Sequence, residues 1–278
     1  MANFDIMQFL KGLIAFYINS SLHVALAVIA LLKVTDLQYN LSIPTTLFFF
    51  LFLATLTGYN FVKYAKVAGL RHRSLTQSLR GIQLISAISF IGLSYFAFKL
   101  PRNVILIILG FGLATFLYAV PFIRHKNLRN FSGFKIFVVA LVWAGVTVII
   151  PFVYTDTAIN GEVLLTFCQR VLIVVVLILP FEIRDVPYDA LNLKTIPQQI
   201  GVKNTKLLGI AILQICMVLE LLKGNLNWAY LVSLSFFCGI LGWLLIISKT
   251  EQKRYFASFL VEGLPIIWLI LYITLENF

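Results

Sequence analysis

The sequence predicts an all-α membrane protein of about nine transmembrane helices, and three observations carry that reading. Hydrophobic residues make up 60% of the 278-residue chain and charged residues 12%, with a mean hydropathy of +0.96; a soluble domain has about a quarter of its residues charged. Apolar runs of about 20 residues, the length that crosses a bilayer, recur along the whole chain. The basic residues then fall almost entirely on alternate connections between those runs.

Nine spans follow, near 10–32, 43–62, 80–98, 103–123, 136–154, 163–183, 207–222, 226–247 and 255–275. The first comes after Met1 to Phe9, which holds no basic residue, and no small-residue cleavage site follows it, so no cleavable signal peptide is expected. It contains Asn19, Ser20, Ser21 and His23, read as an interhelical hydrogen-bonding patch. The second span carries Phe48, Phe49 and Phe50 and closes at Asn60. The third and fourth are joined tightly through Leu100 to Asn103, and the seventh and eighth through Lys223 to Asn225. The sixth encloses Gln169 and Arg170; Arg170 is expected to snorkel outward or to pair with Glu162. Cys168, Cys216 and Cys238 each stand alone in a span and read as small buried hydrophobes.

A net charge of +11 raises the question of nucleic acid, and its distribution answers it. With a cytoplasmic N-terminus, sixteen basic residues flank inner span ends, among them Lys63, Lys66, Arg124, Lys126, Arg129, Lys135, Arg184 and Lys194. Only Lys33, Lys99, Arg102 and Lys223 fall outside. This is the positive-inside rule at work, and no nucleic-acid partner is implied. The expected location is a bacterial inner (plasma) membrane, with the C-terminus on the opposite side from the N-terminus.

The chain reads as one domain over 1–278, with pseudo-repeat halves near 43–154 and 163–275. The second and sixth spans both end inside and each feeds a long polar loop, Lys63 to Ser78 and Arg184 to Thr205. An interface between such halves is a natural place for a cavity.

Acidic residues number eleven, and Glu182, Asp185 and Asp189 fall within eight positions where an apolar run meets a polar loop. They recur at helical spacing, so one face can present them. Carboxylates one turn apart can hold Mg2+ together with its waters and substrate phosphates. The same three can equally form a solvated, self-neutralising helix end around Arg184. Lys63 and Lys66 likewise either neutralise phosphate or simply mark a span end. Intramembrane charge suited to an ion path is confined to Arg170 and Glu220, which disfavours a transporter.

Asp185, Asp189, Lys194, Thr195, Ile196, Pro197 and Gly201 together resemble the second aspartate-rich motif of the UbiA superfamily of intramembrane prenyltransferases. Tyr118-Ala-Val-Pro121, the basic run Arg124 to Arg129, Gly133-Phe-Lys135 and Trp143-Ala144 are similar to that family's fourth-to-fifth span connection, and Glu262-Gly263 stands where many members have Asp-Gly. The family's first motif is kept only at Asn60: Phe61, Tyr64 and Ala68 occupy its aspartate positions.

The resemblance implies a helical bundle around a central cavity, open to the cytoplasmic side, that transfers a prenyl group from a Mg2+-bound prenyl diphosphate to a lipophilic acceptor. On that reading Asp185, Asp189 and Glu182 bind Mg2+, and Asn60, Lys63, Tyr118, Arg124, Lys126, Arg129 and Lys194 contact substrate. The alternative is a non-catalytic protein of the same fold that binds a lipid, a quinone or a partner membrane enzyme.

Overall fold

The computed structural model describes residues 2–68, 77–119, 134–189 and 193–277. Lipid offers no hydrogen-bond partner, so each apolar run bonds its own backbone as a helix. Among the described residues eight helices are long and apolar enough to cross a membrane, and a shorter apolar helix covers Arg102–Tyr118.

The first expected span, 10–32, is corrected. Helix α1 runs Ala2–Asn19 and α2 runs Leu22–Tyr39, so the chain breaks inside the predicted segment. Ser21 takes a left-handed backbone (φ 64°) at the break. Lys33 does not end the span, because Asp36 one turn later lies 2.7 Å from its ammonium. The other Asp36 oxygen accepts the Ile43 amide at 2.9 Å and closes the turn into the next helix.

Helices α3 (Thr45–Ala68), α4 (Gln77–Ala97) and α5 (Arg102–Ala119) follow. Helix α6 (Phe134–Ala144) continues through a π-helical stretch, Gly145–Ile149, into α7 (Ile150–Tyr154). Pro151 explains the change of pitch, since its ring excludes the carbonyl four residues back and it has no N–H to donate. Gly145 lies directly against the Phe111 ring, where any side chain would collide.

Helix α8 (Gly161–Asp185) is capped by Asn160, which accepts the Val163 amide at 3.0 Å. It packs between α6 and α9 and contributes Ile173 to Leu179 to the main core. Helix α9 runs Ile196–Leu221, eleven residues earlier at its start than the expected 207–222. The polar residues that hid its first turns are accommodated locally: Asn204 donates to the Ile200 carbonyl and Lys206 to that of Ile246. Gly201 supplies the bend, with φ 79° and ψ 157°, a conformation that side-chain-bearing residues rarely adopt. Helix α10 (Trp228–Ile247), a π-helical stretch Phe256–Val261 and α11 (Leu264–Glu276) complete the bundle.

The end of the bundle distant from Lys63 holds a buried polar network that the sequence reading placed differently. Arg170 neither snorkels nor pairs with Glu162. It is 1% exposed, donates to the Leu31 carbonyl at 2.9 Å and to Thr35 at 3.3 Å, and sits over the Trp268 ring. Glu162 instead accepts the amides of Gly224 and Asn225. Glu220 is bonded by Gln169 at 3.1 Å and paired with Lys223, whose pKa burial holds below the ordinary lysine range against the attraction of Glu220. Every charge is met by a partner, as low-dielectric surroundings demand. Cys216 and Cys238 are buried as expected, whereas Cys168 is exposed on the bundle's exterior.

Candidate functional site

An apolar groove of about 950 Å³ runs between α3, α4, α5 and α6. It extends from Ala97 and Ile105 at one end of those helices to Val62 and Tyr118 at the other. Eight aromatic side chains stand among its mostly aliphatic lining. Trp143 donates to the Tyr59 hydroxyl at 2.7 Å, and Phe61 stacks on Phe116 with ring centres 6.2 Å apart. Phe61 and Phe116, together with Leu109 and Leu113, are also exposed on the outer surface, so the groove opens sideways. The expected motif position 61 is thus part of a hydrophobic wall rather than a ligand.

Tyr118, at the groove's end, leads to a charged cluster formed by the start of α6 and the end of α8. Lys135 Nζ lies 2.8 Å from Glu182 Oε1 and 3.9 Å from Asp189 Oδ2. The 2.8 Å contact is an ion pair by distance, although its angle departs from hydrogen-bond geometry; at this separation distance governs the energy. Asp185 is taken by its neighbour: Arg184 Nε reaches Oδ1 at 2.8 Å and Nη2 reaches Oδ2 at 3.2 Å. The chain turns after α8, the Asp189 amide donating to the Asp185 carbonyl at 2.8 Å, and Pro187 sits in that turn.

The structure therefore brings Glu182 and Asp189 together on Lys135 and directs Asp185 to Arg184. Among the described residues no three Asp, Glu, His or Cys side chains converge to hold a metal ion. Every carboxylate of the trio is already matched to a basic side chain, so the donor set as arranged does not fit Mg2+, which demands oxygen ligands in near-octahedral array.

The other expected site residues divide. Asn60 is 3% exposed and donates to Ser86 of α4 at 2.9 Å, while its Oδ1 is buried without a hydrogen-bond partner. Lys63 donates to the Ile18 carbonyl at 3.2 Å and Tyr64 to that of Asn19 at 3.0 Å, both fastening α3 to the α1–α2 break. The His23 patch is an interhelical bonding site, as expected: its ring meets the Tyr17 hydroxyl and the Phe259 carbonyl, each at 2.9 Å. Lys194 is exposed, with a left-handed backbone (φ 45°). Arg124, Lys126 and Arg129 lie outside the described residues.

Two residues that the sequence placed only within the resemblance, without a site role, gain one here. Glu262 stands within electrostatic reach of Lys63 and Arg184, at the end of the π-helical stretch before α11. Lys135 is the hub of the acidic cluster. A signal for it existed: Lys135 directly precedes a long apolar run, where a partly buried ammonium needs an anionic partner.

No protein-family model matches the chain, and no curated protein matches it in sequence. One solved structure does resemble it: digeranylgeranylglyceryl phosphate synthase, with a TM-score of 0.55 and 15% sequence identity, the alignment covering 95% of this chain and 98% of that one. That enzyme is a UbiA-superfamily prenyltransferase. With nearly the whole of both chains superposed, this chain is an integral membrane protein with the UbiA-type fold.

Proposed function

We propose that the protein binds an isoprenoid-tailed lipid, its tail in the apolar groove and its polar head at the end marked by Tyr118 and Lys135, which faces the cytoplasm. The observation that carries this reading is the groove. At about 950 Å³ it lies near the upper end of the roughly 300–1,000 Å³ typical of small-ligand sites. Its lining is almost wholly apolar and it ends beside charged groups. The positive-inside bias supports the orientation.

A filled-groove variant tests it. Gly112 lines the groove and has open space beside it, so Gly112→Phe places a ring in the lumen without a clash at Cβ. Purified protein in nanodiscs is titrated with a fluorescent or tritiated geranylgeranyl lipid. Wild type binds saturably, and Gly112→Phe loses at least about tenfold in affinity, which is about 1.4 kcal/mol. Equal binding by both would refute the assignment.

A second reading is favoured by the ordered run from Asp185 to Gly201: Mg2+-dependent prenyl transfer, with Glu182, Asp185 and Asp189 as metal ligands and Asn60, Lys63, Tyr118, Arg124, Lys126, Arg129 and Lys194 toward the diphosphate. It requires Lys135 and Arg184 to release the carboxylates first. Incubation with prenyl diphosphates, Mg2+ and quinone or phenol acceptors decides between the two. Binding without turnover is the expected result; turnover abolished by Asp185→Ala with Asp189→Ala would establish transfer instead.

A further inference from the structure

Glu182 is 3% exposed and Asp189 17% exposed, and the oxygens that face Lys135 are the ones buried without any hydrogen-bond donor in good geometry. Two carboxylates therefore share a single ammonium, placed between them from another helix. Both ion pairs of the lysine are to these carboxylates. Helix α3 carries no acidic residue, and its Lys63 is engaged by the Ile18 carbonyl. A divalent ion entering between Glu182 and Asp189 would have to displace an ammonium of like sign from a poorly hydrated site.

We propose that Lys135 is the built-in cation of this cluster, occupying the position between Glu182 and Asp189 that a divalent ion would otherwise take. The site is thereby metal-independent, and removing the lysine's charge converts it into a divalent-cation site. This holds whichever lipid the groove accepts, and its test does not involve the lipid.

The probe is Mn2+, followed by electron paramagnetic resonance on the detergent-purified full chain. Wild type is expected to show no Mn2+ binding that depends on Glu182 or Asp189. Lys135→Met should acquire a site at least about tenfold tighter than anything wild type shows, and addition of Glu182→Gln or Asp189→Asn should abolish it. Lys135→Arg, which keeps the charge, should gain nothing. Should Lys135→Met not fold, the shorter neutral polar variant Lys135→Gln takes its place. Two results overturn the proposal: wild-type Mn2+ binding that disappears in Glu182→Gln, or a folded, charge-free variant that gains no Mn2+ site. The wild-type arm is decisive even without a stable variant.

Discussion

Cutting the Lys135–Glu182 pair one side at a time, then on both sides, measures how closed this unit is. At an effective dielectric of 20 the attraction of Lys135 is ~6 kcal/mol to Glu182 at 2.8 Å and ~4 kcal/mol to Asp189 at 3.9 Å. Desolvation of the three groups offsets most of that, so the net worth of the pair is small while the cost of orphaning one member is large. Lys135→Met strands a carboxylate that is 3% exposed and should cost about 3 kcal/mol, the low end of the buried-pair range because Lys135 itself keeps 20% exposure. Glu182→Met should cost less, about 2 kcal/mol, since Asp189 still faces the ammonium. The double Met variant should lose only about 2 kcal/mol, which amounts to a coupling of about 3 kcal/mol. Equilibrium unfolding in mixed micelles of mild detergent and sodium dodecyl sulfate, followed by far-ultraviolet circular dichroism, reads all three. A double variant whose loss equals the sum of the singles would show that the two groups do not sense each other, and the electrostatic account of this cluster would fail.

Other outcomes are equally specific. Arg170→Met strands no opposite charge but leaves the Leu31 carbonyl and the Thr35 hydroxyl without this donor, and should destabilise by about 2 kcal/mol in the same unfolding assay; a variant as stable as wild type would mean that these bonds do not hold the guanidinium. Asn60→Leu gives up one bond to Ser86 but also removes a buried acceptor without a partner, so stability should stay within about 1 kcal/mol of wild type; a larger drop would reveal a partner for that oxygen. Gly145→Ala would bring a methyl within 1.9 Å of the Phe111 ring, which should swing into the groove and weaken geranylgeranyl-lipid binding while the helix content measured by circular dichroism is kept. Unchanged lipid affinity in that folded variant would place the ligand away from Phe111.

The spans were legible because an unbroken apolar run has few alternatives to a membrane helix. Errors arose where polar groups are satisfied locally. Lys33 looked like a span end because its neutralisation by Asp36 is not visible in hydropathy, and the start of α9 was hidden by Asn204 and Lys206, whose side chains bond backbone carbonyls. At the site, the cluster of Glu182, Asp185 and Asp189 stood out through the scarcity of acids elsewhere. Its wiring did not, because Lys135 reaches it from a different helix and a lysine at a span end has an ordinary topological explanation. Arg170 illustrates the same limit: its partners are on α2, remote in sequence, and only packing brings them near.

The sideways mouth of the groove, with Phe61, Leu109, Leu113 and Phe116 at its rim, has a thermodynamic corollary. A guest arriving through that rim comes from the hydrocarbon phase, so occupancy follows its mole fraction among the surrounding lipids and not its amount per litre of buffer. Enlarging vesicles with unlabelled phospholipid should empty the groove, whereas adding water to the same suspension should leave it filled.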